Sequence, residues 1–143
     1  MLFDEVIGQE FLKKELIKGL SSDRIAHSQL FLSPEGSGGL SLAIAYARMI
    51  IEKNNTLEGT SLKLSELKHP DLHFVYPVAI NKEVKSKPIS SMFVESWREF
   101  VHKNTYSNLL DWYLKIGVKN KQGKIGSDEV EDLVKKMSLK SYE

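Results

Sequence analysis

An α/β fold, with parallel strands, flanking helices and an incomplete sheet, is the class that this 143-residue sequence predicts. Three features lead there. A short apolar run, a glycine cluster and a long apolar helix follow one another over residues 28–53, the order of the first half of a βαβ unit. A second apolar run, "LHFVYPV", alternates in the manner of a strand. Amphipathic helical patterns account for most of the remainder.

The elements follow in chain order. "VIGQEFLKKELIKGL" sets Phe11, Leu12, Leu16 and Leu20 at spacings near the helical repeat, with lysines between, which predicts an amphipathic helix of about three turns. Ser28 to Leu32 is short, apolar and stopped by Ser33-Pro34. It reads as a buried strand, since so short a run ending at proline makes a poor helix. The next helix runs from Gly38 to Lys53 with apolar side chains round most of its circumference, and Ala43 and Ala47 allow close approach to a sheet. Leu72 to Tyr76 is the second strand, ended or placed at an edge by Pro77. A right-handed crossover sets it parallel to the first. "AINKEVKSKPIS" is an exposed loop with three lysines. In "SSMFVESWREFVHKN", Ser90 or Ser91 caps a helix whose inner face carries Phe93, Trp97, Phe100 and Val101. "SNLLDWYLKIG" is a short helix between Ser107 as N-cap and Gly117 as stop. Ser127 caps the last helix, with Asp128 and Glu129 complementing its dipole, and Val130, Leu133, Val134 and Met137 forming its apolar stripe. Two strands make a small sheet, so the chain reads as a piece of a larger domain.

Composition narrows the function classes. With 41% hydrophobic and 27% charged residues the chain is ordinary for a globular protein. A net charge of +1 gives no bulk attraction to nucleic acid or anionic lipid, so any DNA contact is local or made through partners. The absence of cysteine removes disulfides, thiol nucleophiles and cysteine zinc sites, and fits a reducing compartment. No signal peptide or membrane span is expected. His27, His69, His73 and His102 form no helical zinc pair, because Pro70 and the following strand separate His69 from His73. No G-x-S-x-G elbow is present. No catalytic residue, metal or cofactor is therefore expected.

"SPEGSGGLS" carries the chemistry that remains. Aligned on G-x-x-x-x-G-K-[ST] at Gly38, it has Ser33 at the first glycine, Gly39 at the lysine and Leu40 at the hydroxyl. A working phosphate loop wraps the phosphates with backbone N–H groups, neutralises them with the lysine and holds Mg²⁺ with the hydroxyl. The glycines and the helix N-terminus remain, which suits either a plain strand-to-helix turn or a weak anion site. A charge-assisted hydrogen bond is worth roughly 1.5–3 kcal/mol, so losing the lysine alone weakens nucleotide binding about tenfold to a hundredfold. Ser41 sits one position late, about 100° round the helix. No acid follows "LHFVYPV" to serve hydrolysis.

Four stretches, "FDEVIGQEFLKKEL", "RIAHSQLFLSPEGSGGLSLAIAYARMI", "HPDLHFVYP" and "NKQGKIGSDEVEDLVKKMSLKSYE", together resemble the N-terminal AAA+ domain of the delta-prime subunits of bacterial DNA polymerase III, which belong to the clamp loader. The resemblance implies a partial AAA+, P-loop NTPase-like domain over residues 1–143, with a helical insertion at about 79–121 and an arginine finger, lid and collar beyond Glu143. It implies a non-hydrolysing, cytoplasmic module of DNA replication. Its partners would be the other clamp-loader subunits and, through the complex, the sliding clamp and primed DNA. By position, Gly36, Ser37, Gly38, Gly39 and Leu40 match the phosphate loop, and Val6, Ile7, Gly8 and Gln9 match the border of the adenine pocket. Both are expected to be vestigial and unoccupied. The cysteine zinc ligands of many relatives are missing here. A divergent P-loop ATPase, such as a clamp-loader motor subunit, is the alternative, and an unrelated α/β adaptor is a third. In the family's sheet other strands lie between these two, so this chain is expected to pair them directly or to self-associate through their edges.

Overall fold

The computed structural model describes residues 3–55, 57–118 and 121–138. It overturns the α/β expectation. Among these residues there is no strand, only an isolated antiparallel bridge between Val78 and Lys124. The parallel sheet of an AAA+-type domain is therefore not present, and the architecture is all-α. Helices α1 (Glu10–Ser21), α2 (Gly39–Asn54), α3 (Thr60–Ser65), α4 (Val94–Lys103), α5 (Leu109–Lys115) and α6 (Ser127–Met137) are joined by irregular chain, with 3₁₀ turns at Phe3–Glu5 and Ser90–Phe93. The chain divides into two compact units, Met1–His69 and Pro70–Glu143. Helices α4 and α5 lie within residues 79–121.

In the first unit α2 is the central element. Its Leu42, Ala45 and Tyr46 join Phe3, Val6 and Leu20 in the core, with Leu16, Ile25, Phe31, Met49 and Ile50 packed round them. Lys53 fastens the end of α2 to the end of α1, its ammonium donating to the Leu20 carbonyl (2.8 Å) and to Asp23 (2.7 Å). That ammonium holds the Asp23 carboxyl below the usual carboxylate range. The periodicity of α1 is correct, but only its C-terminal half is covered: Leu20 is buried while Phe11 is 75% exposed.

The predicted strand at 28–32 is extended chain without a ladder. Phe31 turns inward, 6.4 Å from Tyr46, and Leu30 and Leu32 face outward at 81% and 86% exposure. A short apolar run before a proline argues only against helix. Extended chain becomes a strand only if another strand lies alongside to take the N–H and C=O groups.

The second unit shows what happens when other partners exist. Residues 72–76 keep the predicted alternation, with Tyr76 buried and His73 and Val75 exposed. Here Ser90 substitutes for a neighbouring strand. Its hydroxyl accepts from the Tyr76 N–H (3.1 Å) and donates to the Tyr76 carbonyl (3.2 Å), and the Tyr76 hydroxyl donates to the Ser90 carbonyl (2.7 Å). Ser90 is thus not a helix cap. Its own N–H donates to the buried carboxylate of Glu129 (2.6 Å). The aromatic core forms on this frame: Trp97 stacks on Tyr76 at 4.2 Å and meets Trp112 edge-on at 5.2 Å. The predicted inner face of Phe93, Trp97, Phe100 and Val101 is buried.

Two helix caps differ from expectation, and the α6 stripe is left uncovered. Asn108, not Ser107, caps α5, in a reciprocal pairing with Asp111. Ser127 is the first residue of α6, whose N-cap is Gly126. The stripe on α6 is not a core face, since Val130, Val134 and Met137 are 56%, 61% and 69% exposed. The helix is instead anchored by Glu129 through Ser90.

Two predictions follow from this packing. Burial, and secondarily the Glu129 carboxylate, push the Tyr76 hydroxyl well above its ordinary value of 10.0. The unfolded chain then loses this proton from pH 10 upward while the folded chain keeps it, so stability falls with rising pH, by up to about 1.4 kcal/mol per pH unit. Tyr76→Phe should flatten that alkaline decline in urea titrations, and an unchanged decline would contradict the assignment. Second, the unpaired segment at 28–32 should drive concentration-dependent self-association in sedimentation velocity, abolished by Leu30→Lys with Leu32→Lys. A wild-type monomer at all concentrations counts against it.

Candidate functional site

The two segments singled out in the sequence meet at one cleft of about 550 Å³ in the first unit. Gln9 from one and Ser37, Gly38 and Gly39 from the other line it, and the Gln9 side-chain amide donates to the Ser37 carbonyl at 3.4 Å. The remaining members are placed elsewhere. Val6 is in the core, Ile7 is 76% exposed, and Gly8, Gly36 and Leu40 lie off the cleft wall.

The Val6–Gln9 turn has a defined geometry. Gly8 and Gln9 both adopt left-handed backbone, at φ 67° and 62°. That conformation costs on the order of 1 kcal/mol at a non-glycine residue. Lys13 offsets it from inside the turn. Its buried ammonium donates to the Val6 carbonyl (2.6 Å) and Glu10 (2.9 Å), and its N–H donates to the Gln9 carbonyl (2.9 Å). Nothing in the lysine-spaced pattern of α1 marks Lys13 as buried, because the pattern places it among solvated lysines.

The glycine loop closes by a different route from the one expected. Gly36 (φ 74°) and Gly38 (φ 90°) supply the left-handed turns that lead into α2. Ser37 folds back, its hydroxyl donating to the Pro34 carbonyl at 2.8 Å. Gly39, however, is the first residue of the helix and is needed for space. A Cβ there would overlap the Ser33 hydroxyl and lie 2.9 Å from the Ser33 Cβ. The two departures from the phosphate-loop pattern are therefore coupled: the serine at the first-glycine position occupies the volume that any side chain at the lysine position would need.

Electrostatically the cleft is neutral. Its wall is formed by Gln9, Gln29, Ser33 and Ser37 together with leucines, Phe31, Pro34 and loop glycines, and no charged side chain lines it. It therefore has no cation to neutralise a triphosphate and no carboxylate to hold Mg²⁺ or activate water. The apolar part of the wall, including Leu12, Leu16 and Leu42, was not anticipated. Residues 28–32 were expected as a buried strand, which gave no sign that they would line a cleft with α1 and α2. Among the described residues no group of three or more His, Asp or Glu side chains could hold a metal ion. No helix is long and apolar enough to cross a membrane.

Gly39→Ala provides a direct check. An ordinary helical Gly→Ala exchange stabilises by roughly 0.5–1 kcal/mol, whereas overpacking against Ser33 should reverse the sign and cost about 1–3 kcal/mol. Ser33→Gly in the same chain should restore most of the loss. A double-mutant cycle in urea measures the coupling, and a stabilised Gly39→Ala single variant would show that the two positions do not abut.

Comparison with known proteins points to a family. The family model described as "DNA polymerase III, delta subunit" matches residues 8–143. No curated protein and no solved structure matches the chain.

Proposed function

Since the chain belongs to the DNA polymerase III delta subunit family of the clamp loader, we propose that it is a delta-prime-type, non-hydrolysing subunit that serves DNA replication through protein partners. The partners are the other subunits of the loader and, through them, the sliding clamp and primed DNA. The polymerase activity belongs to the parent holoenzyme, and the setting is cytoplasmic. One observation carries this reading: the cleft where Gln9 meets Ser37, Gly38 and Gly39 has no charged wall residue. Ser33 supports it by filling the space that a lysine at position 39 would need.

A divergent ATPase is the competing reading, and nucleotide binding separates the two. Calorimetry with Mg-ATP should give no saturable heat at millimolar nucleotide. Gly39→Lys combined with Leu40→Thr should recover little affinity, because Ser33 obstructs the lysine stem. Micromolar affinity in the wild-type chain would establish the ATPase reading instead. Co-purification with the other loader subunits tests the partner assignment separately.

A further inference from the structure

The second unit brings together two lysine-bearing loops that are far apart in the sequence. Residues 79–89 carry three lysines and one acid, Glu83, and residues 116–126 carry three lysines and no acid. Lys82 and Lys85 from the first loop and Lys121 from the second line one cleft of about 320 Å³, with no acidic residue on its wall. Among the described residues none of these three ammonium groups has a carboxylate partner. Neighbouring lysines do: Lys87 pairs with Asp128 at 3.3 Å and Lys115 with Glu99 at 2.5 Å.

The loops are fixed to each other at two points. Val78 and Lys124 exchange backbone hydrogen bonds of 3.2 and 3.0 Å at their base. Higher up, the Asn81 side chain accepts from the N–H groups of Glu83 (2.9 Å) and Val84 (2.7 Å) and donates to the Ile116 carbonyl (2.8 Å). Asn81 thus turns the lysine loop and ties it to the second loop. Holding three like charges round one cleft is unfavourable in the free protein, and the repulsion is relieved when an anion lies between them.

We propose that this cleft is a docking site for the phosphate backbone of a nucleic acid. The charged groups are all lysines, compact point charges suited to phosphate oxygens. The planar arginine fork that recognises carboxylates two bonds at a time is absent from the cleft. With no base-reading group in place, the contact positions the nucleic acid without selecting sequence. The inference stands on charge geometry and does not require the assignment of the chain to a non-hydrolysing subunit.

Fluorescence anisotropy of the full 143-residue chain with a labelled DNA duplex tests it. Three phosphate contacts predict a slope of log affinity against log salt near 2.7, equivalent to about a 40-fold loss between 50 and 200 mM salt. K82E/K85E/K121E should weaken binding at least tenfold and lower that slope by about 2 to 3. The neutral set K82Q/K85Q/K121Q, milder for folding, should give a smaller loss in the same direction. Asn81→Ala, which keeps every lysine, should weaken binding by loosening the loop, while K14E/K18E on α1 should leave affinity and slope unchanged. Circular dichroism verifies the fold of each variant. The proposal is overturned by a wild-type chain that does not bind duplex at 50 mM salt, by an unchanged slope in both triple variants, or by a polyglutamate peptide outcompeting duplex at equal charge. Co-purification of K82E/K85E/K121E with the other loader subunits is scored separately, so a failure of assembly is distinguished from a failure of phosphate binding.

Discussion

Extended backbone has to place its hydrogen bonds somewhere, and that constraint shapes both halves of this molecule. Two segments were expected as strands, residues 28–32 from a short apolar run ending at proline and residues 72–76 from alternation, and among the described residues neither has a strand beside it. Residues 72–76 meet the demand with one side chain. The Ser90 hydroxyl serves both the N–H and the C=O of Tyr76, and the Glu129 carboxylate takes up the N–H of Ser90. The aromatic packing of Tyr76, Trp97 and Trp112 depends on this small polar frame, because it fixes where the Tyr76 ring stands. Residues 28–32 find no such substitute, so only Phe31 is anchored and two leucines stay in water.

The glycine-rich loop shows how a sequence motif can survive as shape while its chemistry is lost. Gly36 and Gly38 still provide the left-handed turns that deliver the chain into α2. At Gly39 a side chain would collide with Ser33. A loop of this kind can keep its turn for the sake of the core that α2 organises, independently of any nucleotide. The neutral wall of the cleft agrees with a subunit that works by contact with partners.

Charge is organised differently in the second unit. An overall balance of 20 basic and 19 acidic residues conceals a local excess. Asn81 and the Val78–Lys124 bridge collect lysines from two loops at one cleft with no acid on its wall, while Asp128 and Glu99 pair with Lys87 and Lys115. Average charge therefore says little about what a surface of this protein can hold.

The sequence by itself determined where most of the helices lie and which loop carries the glycines that lead into α2, since these depend on periodicity and on residues near one another along the chain. The aromatic face of α4 was legible for the same reason. Tertiary structure decided the rest. The two segments were misread as a sheet because neither a short apolar run nor alternation reports whether another strand lies alongside. The stripe on α6 was legible, but that its residues stay exposed was not, because amphipathicity does not say whether the apolar face is covered. The burial of Lys13, the exclusion of a side chain at Gly39 by Ser33 and the meeting of Lys82, Lys85 and Lys121 all join residues separated by turns or loops. Which volumes and charges coincide is set only when the chain has folded.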